Sequence, residues 1–158
     1  MSDNSPAAPL RRRKIGQCKA VSSVRGPILI VDDNPDDAKL AQRAFERLNP
    51  QFPLTVVGSG RALLEYLEGL TTVSRDEAAR VPSVILLDLK MPEMDGFTIL
   101  EWMAKRPAFA SIPVIILSTF DDLYHVKQAY SLGARSYLLK PISGDSLRDA
   151  LTSLNITV

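Results

Sequence analysis

Short runs of wholly apolar residues alternate along this chain with longer stretches whose apolar positions recur every three or four residues. The first kind predicts buried strands and the second amphipathic helices. Strands are expected at Ile28–Val31, Leu54–Val57, Val84–Leu87, Val114–Leu117 and Tyr137–Leu139. Between them, residues 36–48 place Ala38, Ala41, Phe45 and Leu48 on one helical stripe, with Pro35 ahead of it in a position that suits a first turn. Leu63, Leu64 and Leu67 mark a second helix, Phe97–Lys105 a third ended by Pro107, and Asp121–Leu132 a fourth stopped by Gly133. Asp145–Leu154 closes the series, and residues 70–82 read as a polar loop longer than most such connections. Strands apolar throughout and separated by helices indicate one doubly wound α/β domain, a five-stranded parallel sheet covered on both faces.

Such sheets bind ligands beyond the carboxyl ends of their strands, near the switch point in strand order. The residues at those ends are chemically consistent. The first strand runs into Asp32 and Asp33, the third into Asp88, the fourth into Ser118 and Thr119, and the fifth into Lys140 and Pro141. Three crowded carboxylates repel one another unless a cation neutralises them. Hard oxygen donors open to water suit Mg²⁺ better than Ca²⁺ or zinc. Lys140 adds a fixed positive charge and Ser118 a hydroxyl, an arrangement able to bind phosphoryl oxygens on one carboxylate. An aspartate nucleophile is a recognised form of covalent catalysis.

With 46% hydrophobic and 23% charged residues, the 158-residue chain has the composition of an ordinary globular domain. Its apolar runs are too short to span a bilayer, and the single cysteine, Cys18, can form no internal disulfide, so a reducing cytoplasmic location is the default. The net charge of +1 conceals an asymmetry: residues 1–26 carry six basic side chains and one acid, and the remainder 13 basic and 17 acidic. Residues 1–26 therefore read as a disordered basic tail. Arg11–Lys14 would suit nucleic acid or an acidic surface, against the simpler account of a solvated tail or a misassigned start.

Four stretches together resemble the receiver domains of two-component response regulators. They are Ile28-Leu-Ile-Val-Asp-Asp-Asn-Pro, Val84-Ile-Leu-Leu-Asp-Leu-Lys-Met-Pro-Glu-Met-Asp-Gly, Pro113-Val-Ile-Ile-Leu-Ser-Thr and Gly133-Ala-Arg-Ser-Tyr-Leu-Leu-Lys-Pro. The resemblance covers residues 27–155 and makes 27–158 the receiver domain. It implies the flavodoxin-like fold with strand order 2-1-3-4-5. It further implies Asp88 as phosphoacceptor, Asp33 as a direct Mg²⁺ ligand, Asp32 as a ligand through water, and the Lys90 carbonyl as the remaining protein ligand. Ser118 would be the switch hydroxyl, Lys140 the phosphate-pairing lysine, Tyr137 the aromatic that turns inward on activation, and Lys140–Pro141 a cis bond. The partner implied is a histidine kinase or a histidine phosphotransfer protein. The long 70–82 connection and the Asp-Asn-Pro-Asp-Asp opening resemble single-domain regulators that partner bacterial phytochrome-type kinases.

Only one helix follows Asp145, so a stand-alone receiver without an output domain is expected, acting as a signalling switch and not as an enzyme. Exposed apolar groups such as Leu123 and Tyr130 suggest a homodimer or partner face on the fourth helix, fifth strand and last helix. Nucleic acid and membrane are not expected partners. Thr119 and Phe120 depart from the family's smaller and more polar residues, which predicts slow loss of phosphate. Three rivals remain: a pseudo-receiver that is never phosphorylated, an aspartyl-phosphate hydrolase, and a DNA binder using the tail. The hydrolase would need a second acid two residues beyond Asp88, where Lys90 stands. Asp32-x-Asn34-x-Asp36 fails as a calcium loop because Asp37 replaces the glycine, and Gly58-Ser-Gly60 reads as a helix cap, not a dinucleotide loop. His125 reads as an exposed polar helix residue away from the acids, and Trp102 as core.

Overall fold

The computed structural model describes residues 26–70 and 81–156; the expected tail and most of the 70–82 loop lie outside them. Five strands form one parallel sheet: β1 Ile28–Val31, β2 Leu54–Val57, β3 Val84–Asp88, β4 Val114–Ser118 and β5 Ser136–Leu139. Their order is β2-β1-β3-β4-β5. The helices are α1 Pro35–Leu48, α2 Gly60–Leu70, α3 Gly96–Ala104, a short α4 Pro107–Ala110, α5 Leu123–Ser131 and α6 Gly144–Ser153.

Alternation along each strand divides the core in two. Ile28, Ile30, Val84, Leu86, Ile115 and Leu117 pack against Ala38, Ala41 and Phe45 of α1 and Leu147 and Leu151 of α6. Leu29, Val31, Ile85, Leu87, Val114 and Ile116 face the other way, onto Leu63 and Leu67 of α2, Ile99 and Met103 of α3, and Phe109 of α4. The three central strands are buried along their whole length, which is why they are apolar without alternation. Edge strands β2 and β5 are partly exposed.

Local chemistry sets the helix starts. Asn34 caps α1 by accepting from the Asp36 and Asp37 N–H groups, with Pro35 in the first turn. Asp95 caps α3, Asp122 caps α5 and Ser143 caps α6 in the same way. Ser59 Oγ accepts from the Ala62 N–H at 3.1 Å, the helix-cap role expected of Gly58-Ser-Gly60. Pro107 does more than end a helix: it opens the separate turn α4, because a proline that cannot continue α3 is well placed at the first position of a new helix. Trp102 packs at the border of the core, stacked on Phe109 with the Arg106 guanidinium 3.9 Å from its ring centroid.

Candidate functional site

The switch point in strand order falls between β1 and β3. Their register pairs Val31 with Leu87, so the next residues, Asp32 and Asp88, emerge side by side. Asp32 and Asp88 are buried, while Asp33, one residue further along, is exposed. Carboxylate oxygens of Asp32, Asp33 and Asp88 all lie within 4.8 Å of one another. The expected acidic trio is therefore assembled.

Lys140 reaches this cluster from the position just after β5, immediately ahead of the cis Lys140–Pro141 bond. Its backbone N–H donates to the Ser118 carbonyl at 2.9 Å, tying β5 to β4 beside the site. Its Nζ lies 2.8 Å from Asp32 Oδ2, 2.9 Å from Asp37 Oδ2 and 3.3 Å from Asp88 Oδ1. Asp37 was not foreseen as part of the site. It stands on the first turn of α1, where an acidic residue is readily explained by the helix alone.

Burial, reinforced by the charge of Asp32, pushes the Asp88 carboxyl up to about 6, against the pull of Lys140 and the Lys90 N–H. For Lys140, burial works against the charged form. Hydrogen bonds to Asp32 and Asp37 and the charge of Asp88 outweigh it and hold the ammonium above its ordinary range. A single cation thus serves three carboxylates, and Asp88 still sits in excess negative field. All-oxygen donors, two buried and one open to water, with a raised carboxyl at their centre, fit a hard divalent cation.

Asp33, Asn34, Asp37, Asp88, Lys90, Thr119 and Lys140 line a cleft of about 500 Å³ that gives access to Asp88. The Lys90 N–H donates to Asp88 Oδ1 at 3.4 Å. Gly96 lets α3 approach this loop: a Cβ there would lie 3.0 Å from the Asp88 carbonyl oxygen and from Leu89 Cα. The Gly96 N–H meanwhile donates to the Leu89 carbonyl at 2.9 Å.

On the β4 side, Ser118 Oγ accepts from the Phe120 N–H at 3.0 Å, and the Tyr137 hydroxyl donates to the Phe120 carbonyl at 2.7 Å. Tyr137 is half-buried, and that burial raises its phenol. Ser118, Phe120 and Tyr137 are thus linked through the backbone of Phe120. His125, expected as an exposed polar helix residue, is instead half-buried: it stacks on Phe120 and holds its Nδ1 2.6 Å from Asp122 Oδ2. The loop before α5 turns so that these rings meet, a contact that helical spacing alone does not encode.

The geometry is thus a doubly wound parallel sheet with an acidic trio at its switch point, facing a lysine that precedes a cis proline. Residues 28–152 match the response regulator receiver domain, and the chain belongs to that family, the receivers of two-component signalling. It is 35% identical to the probable methanogenesis regulatory protein FilR2 of Methanothrix harundinacea over 77% of this chain and 76% of that protein. Other relatives are longer, and the chain spans 36% of one and 54% of another. Its structure resembles that of the bacteriophytochrome response regulator AtBRR with a TM-score of 0.71, at 28% identity over 84% of this chain and 94% of that one. It also resembles the Mn²⁺-bound form of response regulator Rcp1, with a TM-score of 0.62 at 28% identity over 82% and 89% of the two chains. Receiver domains bind a divalent metal ion and typically interact with histidine kinases or phosphotransfer proteins. Among the described residues no helix is long and apolar enough to cross a membrane.

Proposed function

We propose that this protein is a phosphorelay switch in which Asp88 accepts a phosphoryl group from a histidine kinase or a histidine phosphotransfer protein. The observation that carries the reading is the convergence of Asp32, Asp33 and Asp88 with Lys140 at one edge of the sheet. Mg²⁺ would be held by Asp32, Asp33, Asp88 and the Lys90 carbonyl, and when bound would neutralise charge on the phosphoryl oxygens.

The chain's own groups do the rest. Asp88 attacks phosphorus as its carboxylate; the bond from phosphorus to the donor imidazole breaks and an acyl phosphate forms. Burial and Asp32 raise the Asp88 carboxyl to about 6 before a cation is held, so it is mostly ionised at neutral pH and available to attack. Lys140 is already within 3.3 Å of the acceptor, so it can pair with a phosphoryl oxygen after a small shift. Ser118 Oγ accepts from the Phe120 N–H and can turn its own proton towards another phosphoryl oxygen. Movement of Ser118 would disturb the Phe120 backbone, and with it Tyr137, carrying the change to α5 and β5.

We read the protein as a switch and not as an enzyme acting on an external substrate. Lys90 occupies the position where a phosphatase of this type needs a second acid. Leu123 is 65% exposed and Tyr130 47%, which supports α5, β5 and α6 as a face for a partner or second copy. The likeness to a bacteriophytochrome response regulator supports a phytochrome-type kinase as donor. Incubation with acetyl phosphate and Mg²⁺, followed on a phosphate-affinity gel, tests the reading. A retarded species that needs Mg²⁺ and disappears in Asp88→Asn is expected; retardation that persists in that variant would refute it.

A further inference from the structure

Phe120 is held through its backbone and through its ring. Its N–H meets Ser118 and its carbonyl meets Tyr137, while its ring lies parallel to the His125 imidazole, with 4.3 Å between centroids and 9° between planes. His125 is anchored in turn. It stacks on Phe97 of α3 at 6.1 Å, and takes the edge of Tyr124 at 5.4 Å. Its Nδ1 approaches both carboxylate oxygens of Asp122, the residue that caps α5. Phe120 directly follows Thr119, which lines the cleft, and Lys90 Nζ lies 5.9 Å from the Phe120 ring centroid. The ring therefore stands beside two residues that line the cleft leading to Asp88, and it is stacked on an imidazole carried by α5.

We propose that His125 is a positioning residue for phosphate retention, fixing the Phe120 ring at the Lys90 rim of the cleft so that phosphate lifetime is tied to the placement of α5. This rests on the reading of Asp88 as phosphoacceptor. The charged groups facing the stack are Asp122 at the start of α5 and, through the Phe120 ring, Lys90; α3 presents the neutral Phe97. The His125 backbone N–H, with its side chain, holds the Asp122 carboxyl below its ordinary range, so Asp122 stays ionised at neutral and mildly acidic pH.

The test compares dephosphorylation of the wild type, His125→Ala and His125→Phe after acetyl phosphate loading, at pH 8 with Mg²⁺. His125→Ala should lose phosphate about three- to tenfold faster, the loss expected for one aromatic contact. His125→Phe keeps the stack without the charge and should restore the wild-type rate at pH 8. An unchanged rate in His125→Ala, or no rescue by His125→Phe, would overturn the proposal. NMR of the unphosphorylated protein separates this from failure of the phosphorylation reading. Phe120 ring signals should shift in His125→Ala even if Asp88 takes no phosphate; Phe120 signals indifferent to that substitution would also overturn the proposal.

Discussion

The Lys140 ammonium lies 2.9 Å from Asp37 Oδ2, closer than its 3.3 Å approach to Asp88 Oδ1. Asp37 therefore competes with Asp88, the proposed acceptor, for the cation that a phosphoryl group would use. Asp37 is about one-third exposed, so solvent screening limits the competition to roughly 0.5–1 kcal/mol. Asp37→Asn should tighten binding of a phosphoryl mimic such as beryllofluoride by about two- to fivefold. Calorimetry with Mg²⁺ present would show it. Weaker binding in the variant would mean that Asp37 orients Lys140 for phosphate instead of holding it back.

The crowding of Asp32 and Asp88 should also be visible in stability. With Asp88 raised from 3.8 to about 6, the folded state binds more protons than the unfolded state between those values. Its contribution to stability therefore falls as pH rises from about 4 through 6, and above that it is a constant penalty. Without metal at pH 7.5, Asp88→Asn should be more stable than the wild type by on the order of 1–3 kcal/mol, and the gap should close near pH 4. Mg²⁺ should raise the wild-type Tm and have much less effect on the variant. Urea unfolding in EDTA at several pH values decides this; equal stability at pH 7.5 would count against it.

How far such a site can be read without coordinates depends on how local each feature is. Central strands β1, β3 and β4 were legible to within a residue because strands buried on both faces must be apolar throughout. Asp32, Asp33, Asp88, Ser118 and Lys140 were legible because a parallel sheet brings strand ends to one edge whatever the loops do. Asp37 and His125 were not. Each lies on a helix where its residue type has an ordinary local explanation, and its role arises only when another element reaches it: Lys140 from β5, Phe120 from the loop before α5. Pro107 was read as a stop, although the same ring geometry that ends one helix begins the next.

Gly96 couples the fold to the acceptor. A methyl group there would press on backbone atoms of Asp88 and Leu89, neither of which can rotate away as a side-chain tip could. Gly96→Ala should destabilise the domain by about 1–3 kcal/mol. It should also slow phosphorylation even where the variant is fully folded, because the strain falls on the acceptor's own loop. Chemical denaturation and the initial rate with acetyl phosphate measure the two effects separately. Normal values for both would show that α3 has room to move.

Thr119 lines the cleft and the Phe120 ring lies 5.9 Å from Lys90 Nζ, another lining residue, so both should limit the water that hydrolyses the acyl phosphate. Thr119→Ala opens the cleft, and Phe120→Glu replaces a stacked apolar ring with a group able to orient water. Each should accelerate loss of phosphate by roughly tenfold, about 1.4 kcal/mol in the barrier. The rate of inorganic phosphate release after removing the donor gives the answer. No acceleration in either variant would remove this account of a long-lived phosphoryl group.

The most direct test is to find which atom carries the phosphate. Borohydride reduces an acyl phosphate to an alcohol, so treating the loaded protein should convert the modified aspartate to homoserine, locatable by peptide mass spectrometry. The account predicts conversion at residue 88 alone, dependent on Mg²⁺ and abolished by replacing Asp33 or Lys140 with alanine. Conversion at Asp32, Asp33 or Asp37, or none at residue 88 in a protein that has taken up phosphate, would contradict it.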